Sequence, residues 1–312
     1  MQDLTKHKKV LLTGGTGFFG SHIKEQLLKN GYQVYSFGRG RCDMLDKESL
    51  RGVFKDSKPD YVIHAAGFNG GIEFNKLYPA DILNKNIRMS LNLFDCCVEF
   101  ETEKVLSIIS SCAYPDGDEL INEDSLFNGR ANDSIASHAF AKRLLQEASI
   151  SYNKQYKLNA VTVAVTNLFG ERSSTDPTKS KVVEAVIKKI VDAKRNNDKS
   201  VEFWGTGAPK RQFMYAQDAS KCIIHALEYY TNNTQPLNIG TPTEVTIKQL
   251  VNEVKTIVEY NGKIMWDKSK NDGQMRKMLD ISTLQSLCPD FEFTDFTTAL
   301  TNTINWYTNE CK

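Results

Sequence analysis

Thr13-Gly14-Gly15-Thr16-Gly17-Phe18-Phe19-Gly20 decides how this chain is read. It satisfies G-x-G-x-x-G through Gly15, Gly17 and Gly20, and the looser G-x-x-G-x-x-G through Gly14, Gly17 and Gly20. Val10-Leu11-Leu12 upstream is a short apolar run, and Phe19, Ile23, Leu27 and Leu28 downstream recur at helical spacing. A strand, a glycine turn and a helix in that order open a dinucleotide-binding unit. The glycines let backbone N–H groups approach a pyrophosphate, and the helix N-terminus adds about half a positive charge. The competing reading is a plain Gly-rich turn.

Working outward, Gly31 stops the helix and Val34-Tyr35-Ser36-Phe37 predicts a second strand. Further helices are expected over 45–54, 79–99 and 137–155, and strands over 61–64, 105–109 and 160–165. Strands alternating with helices give right-handed crossovers and a parallel sheet. The fold class is therefore α/β, a Rossmann-type doubly wound parallel sheet. After Asn167 the pattern breaks into short pieces, with helices over 181–195, 218–230, 247–258 and 294–307, and strands over 201–203, 237–239 and near 263–266. The expected division is a dinucleotide-binding domain of residues 1–166 plus about 211–235. A smaller substrate lobe of about 167–210 plus 236–312 would sit at the carboxyl edge of the sheet.

Composition narrows the function. Among 312 residues, 39 basic side chains face 38 acidic ones, and a net charge of +1 lacks the electrostatic footprint of a nucleic-acid binder. No stretch approaches 18 apolar residues, so no membrane span is expected. Lys6-His7-Lys8-Lys9 precedes only Val10 to Leu12, too short a run for a secretory leader. Seven cysteines (42, 96, 97, 112, 222, 288 and 311) show no C-x-x-C spacing, and the five histidines are scattered. No metal is expected, a reducing cytoplasm fits, and every cysteine but Cys112 reads as a small buried hydrophobe.

Which dinucleotide binds depends on the end of the second strand, Phe37-Gly38-Arg39-Gly40-Arg41-Cys42-Asp43. No carboxylate sits there to accept from a ribose 2′-hydroxyl. Arg39 or Arg41 could bind a 2′-phosphate or cover the adenine face, and Asp43 could reach the adenine amino group. NAD and NADP both stay open on these residues.

A second group of motifs carries a resemblance. They are Gly70-Gly71-Ile72, Tyr78-Pro79-Ala80-Asp81, Ser110-Ser111-Cys112-Ala113-Tyr114-Pro115, Ala141-Lys142 and Tyr152-Asn153-Lys154-Gln155-Tyr156. Thr166-Asn167-Leu168-Phe169-Gly170, Trp204-Gly205-Thr206-Gly207, Arg211-Gln212-Phe213, Asp272-Gly273 and Arg276-Lys277-Met278-Leu279-Asp280 continue the series. With them the chain resembles the extended short-chain dehydrogenases/reductases acting on nucleotide sugars, and among these the GDP-L-fucose synthases (GDP-4-keto-6-deoxymannose epimerase/reductases). The resemblance implies a GDP-sugar substrate and a nicotinamide cofactor held by Gly14, Thr16, Gly17, Phe18, Phe19, Gly20, Arg39, Asp43, Ala65, Ala66 and Lys142. It places Asn167, Lys181, Arg211 and Lys277 on the substrate, and Ser110, His138, Lys142 and Cys112 at the chemistry. It also implies a homodimer, or a dimer of dimers, paired through the helices near 80–99 and 138–156.

Three positions depart from the family pattern. The tyrosine of Y-x-x-x-K falls on His138, with Lys142 retained four residues later on the same helical face. The epimerising pair of a cysteine and a histidine is present as Cys112 and Lys181. Thr16 stands where some fucose synthases carry an arginine for NADPH, which leans the cofactor slightly toward NAD. An imidazole titrates near 6.5 and is mostly neutral at pH 7, so His138 suits alcohol oxidation at least as well as ketone reduction. The competing reading is that it only fills space, with Tyr114 or a Ser110-held water taking the proton.

The leading expectation is therefore an NAD(P)-dependent dehydrogenase moving hydride at C4 of a GDP-linked manno-type hexose or heptose for glycan precursor synthesis, without epimerisation. A charged Lys181 donates a proton readily but abstracts one poorly. The alternatives are a GDP-4-keto-sugar 3,5-epimerase/4-reductase and a catalytically silent nucleotide-sugar binder. His64 and Asn86 read as structural, Arg276 as a weaker phosphate ligand than Arg211, and the Trp204 loop as a packing anchor.

Overall fold

The computed structural model describes residues 8–117, 120–174, 176 and 181–310, and for Ile72 the backbone alone. Lys6, His7 and Cys311 lie outside the described residues. The chain opens with β1 (Lys9–Thr13), α1 (Phe18–Lys29), β2 (Gln33–Ser36), α2 (Lys47–Ser57) and β3 (Tyr61–His64). Next come α3 (Ile72–Leu77), α4 (Pro79–Glu99), β4 (Lys104–Ser110), a 3-10 turn (Ser111–Ala113), β5 (Leu120–Ile121), α5 (Ala136–Tyr156) and β6 (Ala160–Val165). After these run β7 (Asn167–Phe169), α6 (Val182–Arg195), β8 (Ser200–Trp204), β9 (Lys210–Arg211), β10 (Phe213–Tyr215) and α7 (Ala216–Tyr229). The last elements are β11 (Leu237–Ile239), β12 (Val245–Thr246), α8 (Ile247–Val258), β13 (Lys263–Asp267), β14 (Arg276–Leu279), α9 (Ser282–Leu287) and α10 (Phe296–Glu310).

Local chemistry explains these boundaries. Pro79 opens α4, where its missing N–H costs nothing. The Asp46 carboxylate accepts from the Glu48 N–H at the start of α2, and Thr246 and Gln249 form a capping box on α8. β4 and β6 are buried on both faces, as a parallel sheet sandwiched between helices requires.

Six parallel strands in the order β2-β1-β3-β4-β6-β11 form the main sheet. The order reverses between β1 and β3, so the loops leaving those two strands diverge. Open α/β sheets bind ligands in the crevice made there. Two apolar cores follow the division of labour. One surrounds the main sheet, and the other joins Phe169, α6, β8, Phe213, Tyr215, α8 and α10.

The boundary expected at 236 is corrected by the pairing. β11 bonds in parallel to β6 and completes the main sheet, and Leu279, Ile281, Leu284 and Cys288 join its core. The segment after β10 thus returns to the first domain beyond residue 235. No helix among the described residues is long and apolar enough to cross a membrane.

Candidate active site

A cavity of about 480 Å³ opens at the β1/β3 switch point, lined by Gly14, Thr16, Gly17, Arg39, Asp43, Ala65 and Ala66 among others. Gly14 has φ +71°, and a Cβ there would lie 2.7 Å from the Ala66 amide nitrogen. The turn closes by a Gly17 N–H bond to the Gly14 carbonyl at 2.9 Å. No side chain caps the N-terminus of α1, which leaves its first N–H groups for an anion. These residues fit a dinucleotide: the cradle is one a side chain would fill. Gly20 acts differently, since a Cβ there would sit 2.0 Å from the Gly14 carbonyl oxygen, so it lets α1 pack on the loop. Phe18 and Phe19 begin α1 but are not among the residues lining the cavity.

The two arginines after β2 separate. Arg39 lines the cavity and has no ion-pair partner among the described residues, whereas Arg41 lies 4.0 Å from Asp56 on the surface. Asp43 lines the cavity while its carboxylate accepts from the Leu45 N–H at 3.0 Å. Sequence reasoning missed Phe68, Lys85 and Met89, which also line it, with the Lys85 ammonium 4.4 Å from the Phe68 ring centre. Lys85 and Met89 share one face of α4 at i, i+4 spacing, a signal indistinguishable in the sequence from ordinary helix amphipathicity.

The acid/base candidates gather where β4 ends. Ser110 is half-buried and its Oγ accepts from the Cys112 N–H at 3.3 Å, so Cys112, also half-buried, is presented by the 3-10 turn. Ser111 is buried inside that turn. Lys142 on α5 is buried, and its Nζ donates to the Ile108 carbonyl at 2.9 Å, tying the helix to the strand that carries Ser110. Burial lowers its pKa to about 8. His138 lies one turn earlier, buried, and its Nδ1 has no hydrogen-bond partner among the described residues. Burial first, then the Lys142 and Lys181 charges, lower its pKa to about 3. Lys181, exposed at the N-cap of α6, is thus brought within electrostatic reach of His138.

The substrate candidates of the second lobe also converge. The Asn167 amide donates to the Gln212 carbonyl at 3.2 Å, and Arg211 and Lys277 are register partners across β9 and β14. Arg276 instead holds Glu244 through Nε and Nη2 at 2.7 and 2.9 Å. Trp204 is 72% exposed, which corrects its reading as a packing anchor; Phe203 and Trp266 fill that role.

Three residues are structural. His64 is fully buried and bonds Thr13 Oγ1 at 2.9 Å and Ser90 Oγ at 3.2 Å. Asn86 bonds both the N–H and the carbonyl of Phe68. The Tyr114 hydroxyl donates to Asn238 at 2.6 Å, and burial pushes its pKa far up, so it is no substitute for His138. Among the described residues no three metal-ligating side chains cluster.

A glycine-cradled crevice at the switch point, beside a strand-end serine and a buried His-x-x-x-Lys, defines a short-chain dehydrogenase/reductase of the extended kind. The chain belongs to the NAD dependent epimerase/dehydratase family, whose model matches residues 10–240, and it is an NAD(P)-dependent enzyme. A GDP-L-fucose synthase of Dictyostelium discoideum is 32% identical over 312 residues, covering 98% of this chain and 97% of its own. A GDP-L-fucose synthetase of Naegleria fowleri bound to NADP superposes with a TM-score of 0.92 at 28% identity, covering 99% of this chain and 95% of its own. A GDP-mannoheptose C4 reductase of Campylobacter jejuni, with NADP bound, gives 0.86 at 26% identity, covering 98% and 99%.

Proposed function

We propose that this enzyme is an NADPH-dependent GDP-4-keto-sugar epimerase/reductase that delivers hydride to C4 of a GDP-linked manno-type sugar. The relatives support this reading over the plain C4 dehydrogenase expected from the chain alone. The observation that carries it is the buried, unbonded Nδ1 of His138 on the same helical face as Lys142. A buried polar atom without a partner costs free energy until a water, ion or ligand completes it.

The cofactor, when bound, supplies hydride at its nicotinamide ring. The glycine turn and the α1 N-terminus would hold its pyrophosphate, and Lys142 would hold its ribose. The neutral His138 ring donates an N–H hydrogen bond to the C4 oxygen, and the Lys142 ammonium one turn away, still charged below about pH 8, supplies the proton that oxygen takes up as hydride arrives. Cys112 and Lys181 are assigned the proton shuttle at C3 and C5, with Cys112 abstracting and Lys181 donating. Arg211, Lys277 and Asn167 take the nucleotide diphosphate and sugar. The unpaired Arg39 favours the 2′-phosphate of NADPH, which replaces the earlier lean toward NAD. Two copies pair through α4 and α5.

Lys181 in place of a histidine favours a second reading, C4 reduction without epimerisation. Incubation with GDP-4-keto-6-deoxymannose and NADPH in deuterated water separates the two. Reduced product with deuterium at C3 and C5 supports the first reading. Reduced product without it moves the assignment to the second, and no turnover overturns both.

A further inference from the structure

Gln212 lies between β9 and β10 and is fully buried. Its side-chain amide donates to the carbonyls of Thr241 at 2.7 Å and Leu279 at 3.0 Å, while its Oε1 accepts from the Leu279 N–H at 2.9 Å. Its backbone carbonyl accepts from Asn167 Nδ2 at 3.2 Å and from Thr166 Oγ1 at 3.4 Å. One residue thus bonds the start of β7, the end of β14 and the loop leaving β11. Arg211 is its chain neighbour, and Lys277, two residues before Leu279, lies beside Arg211 in the β9–β14 register.

We infer that Gln212 is the positioning residue for the nucleotide end of the substrate, setting the mutual placement of Asn167, Arg211 and Lys277. This rests on the nucleotide-sugar reading above. The Arg211 guanidinium donates to the Lys210 carbonyl at 2.8 Å and the Gln274 carbonyl at 2.7 Å, and Gln212 ties the strand that carries it to β14 and to β7. β9 and β14 meet over only two register pairs, flanked by β12 and β5 with two pairs each, so every ladder holding this register is short. An amide is the side chain that meets both demands at Leu279, donating to its carbonyl and accepting from its N–H. A glutamate accepts from the N–H but repels both carbonyls, and a methionine of similar size leaves three buried backbone groups unbonded.

The test is titration calorimetry of the full chain with GDP and, separately, with NADPH, on the wild type, Gln212→Glu and Gln212→Met. The dinucleotide crevice shares no residue with the Gln212 contacts, so NADPH affinity serves as the control for a folded protein. Both variants should bind GDP roughly 10- to 100-fold more weakly with NADPH affinity unchanged. Where Gln212→Met does not fold, Gln212→Glu carries the test alone. GDP affinity unchanged in a folded variant that still binds NADPH would overturn the role of Gln212 and leave the nucleotide reading standing. A wild type that binds NADPH but not GDP would overturn both. Equal losses for GDP and NADPH would assign Gln212 to general stability and overturn the positioning role.

Discussion

His138 and Lys142 occupy successive turns of one face of α5, both buried; the lysine donates to the Ile108 carbonyl at 2.9 Å, and the histidine Nδ1 has no partner among the described residues. The amine is thereby anchored to β4. Burial and the neighbouring positive charge keep that ring neutral down to about pH 3.

The pH–rate profile follows from this pair. With His138 neutral from about pH 3 upward, kcat/KM should show no limb near 6.5. Lys142, lowered to about 8, loses its proton as pH rises through that value, so kcat/KM should fall above about pH 8. A profile with an acid limb at 6.5 would contradict the buried, neutral imidazole.

Substitution at the same position separates chemistry from space-filling. His138→Ala should lower the hydride-transfer rate by roughly 10²–10⁴-fold with little change in NADPH affinity. His138→Tyr restores a phenol beside Lys142 and should raise ketone reduction above the wild type. Single-turnover absorbance at 340 nm reads both; a His138→Ala rate equal to wild type would reduce the histidine to a filler.

Acid stability should depend on two histidines. His64 and His138 both fall to about 3 in the folded chain, His64 by burial and the Lys142 charge, against an ordinary value near 6.5. Between those values the unfolded chain binds protons that the native chain does not. Stability is therefore lost on acidification below 6.5, by about 1.4 kcal/mol per pH unit for each ring. Urea midpoints at pH 7 and pH 5 measure this, and His138→Gln should remove about half of the difference. Equal midpoints in the wild type would contradict the shifts.

Much of this architecture was legible in the chain. The helix from Pro79 to Glu99 and the β6 strand fall where periodicity placed them, because both are long and their burial pattern is local. The short strands β9, β12 and β14 were not, since two to four residues carry no periodicity and their pairing partners lie far away in sequence. β11 read correctly as a strand yet was given to the wrong domain, because its partner β6 lies some seventy residues earlier. At the site, the glycine turn and His138 were readable as motifs. The choice between Arg39 and Arg41 was not, since it depends on which of the two the loop after β2 turns into the crevice.

Cofactor preference is a test of Arg39. Arg39→Ala should weaken NADPH binding by roughly tenfold, about 1.4 kcal/mol, and leave NADH nearly unaffected, since a guanidinium–phosphate contact is lost. Fluorescence titration with each cofactor measures it. Equal effects on both would remove the 2′-phosphate from Arg39.

The proposed pairing would use the outer face of α4 and α5, where Phe140 is 59% and Leu91 37% exposed. Two copies paired there would cover both. Light scattering should give twice the 35.2 kDa chain mass, and Leu91→Asp with Phe140→Asp should halve it. A wild type scattering as a single chain would exclude the pairing.

The central claim, hydride delivery to C4 of a GDP-linked sugar with His138 serving the oxygen, is tested most directly by isotope transfer. The enzyme would be incubated with GDP-4-keto-6-deoxymannose and NADPH carrying deuterium at the nicotinamide C4, and the product analysed by mass spectrometry and NMR. The account predicts one deuterium at sugar C4 in the wild type, and label entering at least a hundredfold more slowly in His138→Ala. Product formed without deuterium at C4, or label entering equally fast in the variant, would contradict it.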